Sequence, residues 1–203
     1  MRSIFITGGA RSGKSVFALT CAQKLSGKKA FVATAQALDP EMQERIEMHK
    51  QQRGSAWDTY EEPLNVRALV EDLKHRYDVV VIDCLTLWLS NVMHAGMDVL
   101  QEIDRFAGVT IDNERAGSGR GNQRAGARRG NPSGYPMTAS TGGYPFASAP
   151  TVFIISNEVG MGIVPENELA RRFRDYQGML NQHVARSADE VYLMVSGIPL
   201  KLK

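Results

Sequence analysis

Little in this sequence points to cysteine chemistry, to a membrane or to a strongly charged partner. Two cysteines in 203 residues, Cys21 and Cys84, can build neither a disulfide framework nor a zinc site of their own. Each stands in an apolar stretch, so each is expected to be a buried, reduced thiol. No run approaches the roughly 18 consecutive apolar residues that a membrane span requires. The first residues pass straight into a strand pattern, without the basic and apolar regions of a signal peptide, so a reducing, cytoplasmic compartment is expected. Neither sign of charge dominates: 24 Lys and Arg against 22 Asp and Glu leave +2, which neither demands nor excludes nucleic acid. With 43% hydrophobic and 23% charged residues, the composition is that of a globular chain. Its length suits one α/β domain and is short for two ordinary ones.

What is present alternates regularly. Ser3–Thr7, Lys29–Ala33, Val79–Asp83 and Thr151–Ser156 are short apolar runs that read as buried strands. Between them Val16–Leu25, Leu64–Tyr77, Leu85–Met93 and Val99–Phe106 carry helical spacing, and Thr34–Leu38 reads as a loop. Asp39, Pro40 and Glu41 make a helix start: an acid to cap, a proline in the first turn and a second acid at the positive end. That helix is expected to run to about Gln52. Pro165 is expected to open another toward Arg186, before final strands at Glu190–Ser196 and Pro199–Lys203. Apolar strands alternating with amphipathic helices predict an α/β fold with a mostly parallel sheet covered on both faces.

One segment departs from this pattern. Residues 112–150 contain no Val, Ile or Leu but eight glycines, four prolines and five arginines. Such a stretch buries too little apolar surface to offset backbone ordering, so disorder within a single domain is expected. Three readings stay open: a floppy insertion, a stretch read out of frame, or an arginine-glycine tract touching single-stranded RNA with Tyr135 and Tyr144. The segment carries net +3 and the remainder −1, so the basic excess says little about the rest of the chain.

The strongest motif is Gly8-Gly9-Ala10-Arg11-Ser12-Gly13-Lys14-Ser15, which fits G-x-x-x-x-G-K-[ST] in full, with a buried strand before it and a helix after. Gly8 and Gly13 allow backbone conformations that turn N–H groups toward a phosphate. The helix presents its positive end to the same anion. Lys14 can reach the β- and γ-phosphates, and the Ser15 hydroxyl can bind Mg²⁺. Val79–Asp83 reads as the complementary strand, whose terminal carboxylate, Asp83, reaches a nucleotide-bound metal. The alternative for Asp83 is an ordinary strand-end cap. Asn157-Glu158-Val159-Gly160 follows another strand, so Glu158 either orients a nucleophile or serves a tight turn.

On the helix after Asp39, Arg45, His49 and Arg53 recur every four residues, on one face. This is either a solvated cationic stripe or a site. Positive neighbours favour the neutral, nucleophilic imidazole, and such a His49 attacking an α-phosphate would form a covalent nucleotidyl intermediate, with the arginines stabilising the developing charge.

Five ordered blocks carry a resemblance: Ile6–Ser15, Val32–Lys50, Val79–Asn91, Ser156–Asp175 and Asp189–Leu202. In them the chain resembles the bifunctional adenosylcobinamide kinase / adenosylcobinamide-phosphate guanylyltransferase family of cobalamin biosynthesis. The resemblance implies a P-loop NTPase-like fold and two reactions. ATP or GTP phosphorylates adenosylcobinamide, and GTP then guanylylates the product to adenosyl-GDP-cobinamide. It implies a guanylyl-histidine at His49, within Arg45-Ile46-Glu47-Met48-His49. It also implies guanine-nucleotide contacts from Ala33, Thr34, Ala35, Lys50, Gln51, Gln52, Arg53, Glu61 and Asp83, Mg²⁺ as metal and a homotrimer. Glu61 is the least specific of these, since Glu62 lies beside it. Members of the family usually carry an amphipathic helix where this chain has residues 112–150. Two further readings are a single-activity kinase or guanylyltransferase, and a nucleotide-dependent RNA-binding protein.

Overall fold

Alternation along the strands decides which side chains face which helices. The computed structural model describes residues 1–37, 40, 43–44, 46–47, 56–108 and 149–203. The element order is β1 (Arg2–Gly8), α1 (Lys14–Gln23), β2 (Lys29–Ala33), β3 (Asp58–Glu61), α2 (Val66–Leu73), β4 (Val79–Asp83), α3 (Leu85–His94), α4 (Val99–Ala107), β5 (Thr151–Ile155), α5 (Glu168–Ser187), β6 (Glu190–Val195) and β7 (Ile198–Lys201). In β1, Phe5 packs on one face of the sheet while Ile4 and Ile6 pack on the other; β4 divides in the same way, Val80 and Ile82 against Val79 and Val81. Period two on a pleated strand produces this division. The face holding Phe5 and Ile82 is covered by α2 to α5, and the opposite face by α1.

The helices present matching stripes. Val66, Val70 and Leu73 of α2 are buried at helical spacing, as are Ile103 and Phe106 of α4. Trp88 of α3 lies 5.1 Å from Phe106, centroid to centroid, and its indole Nε1 donates to the Leu64 carbonyl at 2.8 Å. A buried indole is tolerated because that donor is satisfied.

The seven strands lie in the order β3-β2-β4-β5-β1-β6-β7. All pairings are parallel except β6 with β7, which is antiparallel. The mostly parallel α/β fold expected from the sequence is therefore present. Three expectations need correction. β3 was not foreseen: Asp58-Thr59-Tyr60-Glu61 has no apolar run, and it is an edge strand with only Tyr60 partly covered. The last long helix begins at Glu168 rather than Pro165, because Asn167 Oδ1 accepts from Ala170 N at 3.0 Å and caps it there. Cys21 is half-buried, while Cys84 is buried as expected.

Candidate nucleotide site

The site grows from the end of β1, where a buried strand breaks into the turn Gly9–Gly13 before α1 starts at Lys14. Gly8 has φ 151° and Gly13, at the N-cap of α1, has φ 91°. A Cβ on Gly8 would stand 2.5 Å from the Met194 carbonyl oxygen and 2.8 Å from Ser12 Oγ, so conformation and space both require glycine. The loop is held from two sides. Glu158 N donates to the Gly8 carbonyl at 2.9 Å, and Gly197 N, in the β6–β7 turn, donates to the Ser12 carbonyl at 3.1 Å.

Lys14 is buried, and its Nζ donates to the carbonyls of Gly8 (3.0 Å) and Gly9 (2.6 Å). Burial pushes its pKa below the ordinary lysine value, opposed by Cys84 and Asp83. Ser12 Oγ and Thr7 Oγ1 are buried without a hydrogen-bond partner. An unpaired buried hydroxyl costs about 1–3 kcal/mol, and for Ser12, inside the loop, a phosphate oxygen would remove that cost.

Asp83 ends β4, two strands from β1. In the sheet register Ala33 pairs with both Asp83 and Glu61, so three of the expected nucleotide contacts stand at one level. Thr34 follows, fully buried: its Oγ1 donates to the Cys84 carbonyl (2.7 Å) and accepts from Cys84 N (2.9 Å). Asn91 Nδ2 donates to the Thr34 carbonyl at 2.8 Å and so fixes the chain leading to Ala35. Glu62 Oε1 accepts from Leu64 N and Asn65 N. That structural role separates it from Glu61, which is exposed at the sheet edge. With strands ~4.8 Å apart, Glu61 stands ~19 Å from β1 along the sheet. The structure thus forms two groups, the phosphate loop with Lys14 and Ser15, and Ala33–Ala35 with Glu61; Asp83 lies between them. His49, Lys50, Gln51, Gln52 and Arg53 lie outside the described residues, as does Arg45. Pro40, Gln43, Glu44, Ile46 and Glu47 are helical, as expected for that segment.

A buried polar network behind the site was not anticipated. Ser156 Oγ donates to Asn181 Oδ1 (2.7 Å), Gln177 Nε2 reaches both Ser156 Oγ (2.9 Å) and Asn181 Oδ1 (3.0 Å), and Asn181 Nδ2 donates to the Asn157 carbonyl (3.0 Å). Asn157 N in turn donates to Thr86 Oγ1 at 2.8 Å. Its only trace in the sequence is polar residues inside otherwise apolar blocks. It fixes the β5–α5 connection that carries Glu158 onto Gly8. The Glu158 carboxylate itself accepts from Gly160 N at 2.8 Å, the geometry of the turn reading. Burial, with Asp83 adding to it, pushes the Cys84 thiol up to about 11, so it is protonated at neutral pH.

Among the described residues no three His, Cys, Asp or Glu side chains cluster as an all-protein site. A nucleotide-borne Mg²⁺ needs none: a hydroxyl, a nearby carboxylate, phosphate oxygens and water suffice. Ser15, half-exposed at the start of α1, offers a hydroxyl of that kind, and Asp83, at the end of β4, a carboxylate.

A phosphate loop between a buried strand and a helix, with an acid-ended strand two positions along a parallel sheet, defines a nucleotide-binding protein of the P-loop class. The family model for cobinamide kinase / cobinamide phosphate guanyltransferase matches residues 4–116 and 145–202, and the chain belongs to that family. It is an enzyme of cobalamin biosynthesis with kinase and guanylyltransferase function. The bifunctional adenosylcobalamin biosynthesis protein CobU of Escherichia coli K12 is 36% identical over 202 residues, covering 98% of this chain and 99% of the relative. The protein of the same name from Salmonella typhimurium LT2 is 37% identical over 206 residues, with the same coverage. CobP of Pseudomonas aeruginosa PAO1 is 34% identical over 198 residues, covering 98% and 95%. Residues 117–144, inside the Gly/Arg/Pro-rich segment, fall outside the family match. No helix among the described residues is long and apolar enough to cross a membrane.

Proposed function

We propose that this enzyme phosphorylates adenosylcobinamide with ATP or GTP and then passes GMP from GTP to the product through His49. The observation that carries the reading is the preformed phosphate loop, with Lys14 buried in it and Ser12 Oγ lacking a partner. In the first reaction the aminopropanol hydroxyl oxygen attacks the γ-phosphorus. The bond from that phosphorus to the β,γ-bridging oxygen breaks, the nucleoside diphosphate leaves, and the hydroxyl proton passes to solvent or a base. The N–H groups of Gly9–Ser15 and the Lys14 ammonium bind the β- and γ-phosphates and stabilise charge on the transferring group. In the second reaction a neutral His49 nitrogen attacks the α-phosphorus of GTP, and pyrophosphate leaves. A phosphate oxygen of adenosylcobinamide phosphate then attacks the same phosphorus, the P–N bond breaks, and His49 is regenerated with adenosyl-GDP-cobinamide released.

Ala33–Ala35, Lys50–Arg53, Glu61 and Asp83 serve as guanine-nucleotide contacts in this reading. Ser15 and Asp83 would hold a nucleotide-borne Mg²⁺, which would neutralise charge on the phosphate oxygens. The enzyme works in the cytoplasm as a homotrimer, and the whole chain is one domain interrupted by residues 112–150. Incubation with GTP labelled at the α-phosphorus, followed by acid treatment, tests the covalent step. Wild-type protein is expected to carry an acid-labile label and His49→Ala none. An unlabelled wild type overturns the guanylyl-enzyme reading, and a labelled His49→Ala overturns the choice of residue.

A further inference from the structure

A pocket of about 320 Å³ lies between the last turn of α3 and the first two turns of α5, lined by Ser90, Met93, His94, Asn167, Leu169, Ala170 and Phe173. We propose that it is the subsite for the corrinoid substrate, holding one edge of the macrocycle and a peripheral carboxamide; this rests on the function proposed above.

Three observations select this occupant. First, the lining has no Asp, Glu, Lys or Arg, so it does not suit a nucleotide phosphate but does suit an uncharged edge of methyl and methylene groups. Its volume is at the lower end of the range for small-molecule sites, which suits part of a large ring. Second, its polar groups match a primary amide, which both donates and accepts. The Ser90 backbone carbonyl can only accept, so the 2.7 Å contact with His94 Nδ1 requires the proton on Nδ1. In the neutral ring Nε2 is then an acceptor. Asn167 Oδ1 is engaged by Ala170 N, which leaves its Nδ2 as the donor.

Third, the pocket shares α3 with the contacts that brace the phosphate loop. Thr86, Ser90 and His94 are four residues apart on α3 and share a face. Thr86 Oγ1 accepts from Asn157 N, and the neighbouring Glu158 N bonds to Gly8. One turn of helix, roughly 6 Å for four residues, therefore separates the pocket from the connection that braces the phosphate loop. Met161, Ile163 and Val164, on the chain leading to α5, are 80%, 96% and 59% exposed.

The test uses the purified full-length enzyme, with adenosylcobinamide as the probe in equilibrium dialysis and GTP labelling measured separately. Leu169, 57% exposed, can be changed to Asp without disturbing the core. Ala170→Trp fills the pocket, and His94→Ala removes its acceptor. Each variant is expected to weaken adenosylcobinamide binding tenfold or more while the protein still takes label from GTP. Unchanged adenosylcobinamide binding in folded, labelled Leu169→Asp protein overturns the subsite and leaves the proposed function standing. A wild type that neither labels nor binds adenosylcobinamide overturns the function instead. If Leu169→Asp alters the sedimentation coefficient but not adenosylcobinamide binding, the surface is a contact between copies of the chain, and the subsite is again overturned.

Discussion

Gly8 shows how a single position couples sequence to chemistry. Its φ of 151° lies in a region that L side chains avoid, and a Cβ would meet the Met194 carbonyl and Ser12 Oγ. The strain of a side chain there would pass directly into the loop, because the Gly8 carbonyl accepts from both Lys14 Nζ and Glu158 N. Gly8→Ala is therefore expected to weaken GTP binding at least tenfold, about 1.4 kcal/mol, with the rest of the fold retained. Titration calorimetry together with far-ultraviolet dichroism checks both statements. Wild-type affinity in the variant would mean that β6 and Ser12 move aside cheaply, and that the loop is less tightly specified than its contacts imply. The same geometry explains why these residues were legible in the sequence. Eight consecutive residues carry the loop, so their spacing along the chain is their spacing in the site. Asn157, Gln177, Asn181 and Thr86 meet only through the fold, and no local pattern marks them.

At the scale of elements, α3 joins several parts of the site. It starts directly after Asp83 and Cys84, accepts a hydrogen bond from the β5–α5 connection through Thr86, fixes the chain after β2 through Asn91, and forms one wall of the apolar pocket. Trp88 anchors it to the core and to the chain entering α2. Trp88→Ala removes a 1% exposed indole and orphans the Leu64 carbonyl. The expected loss of unfolding free energy is about 3–5 kcal/mol, measured by urea denaturation with unchanged m-value. A loss under about 1 kcal/mol would mean that the space closes up, and that α3 is anchored elsewhere. The apolar strands and amphipathic helices could be read from the sequence because their periodicity is a direct record of burial. β3 could not, because an exposed edge strand has little burial to record. The start of α5 was displaced because Pro165 marks a permissible first turn, whereas the side-chain cap that sets the start is Asn167, two residues later.

For the molecule as a whole, the question is how the two ends of the chain are joined, since the phosphate loop hangs between them. β1 pairs with β6, and Gly197 in the following hairpin turn holds the Ser12 carbonyl. Glu190 fastens the same corner. Its carboxylate accepts from Arg2 of β1, from Lys201 Nζ of β7 at 2.9 Å and from the Tyr192 hydroxyl at 2.8 Å. These partners, Lys201 foremost, pull its pKa from 4.5 down to about 2. The fold therefore favours the ionised form. The stabilisation is complete above the unfolded value and is lost as pH falls through the folded one, so the window is pH 4.5 to about 2. In urea titrations across that window, wild-type stability is expected to fall with pH, and Glu190→Gln to fall less steeply. The variant starts lower at pH 7, since a neutral amide cannot hold two cations in the same way. Parallel slopes would show that the cluster is screened by solvent to the point of contributing nothing. A second readout follows from the same geometry. Loosening the β1–β6–β7 corner frees Gly197 from Ser12, so Glu190→Gln should also weaken GTP binding at neutral pH, by less than Gly8→Ala, although Glu190 is the first residue of β6 and has no hydrogen bond to the phosphate loop among its contacts with Arg2, Tyr192 and Lys201.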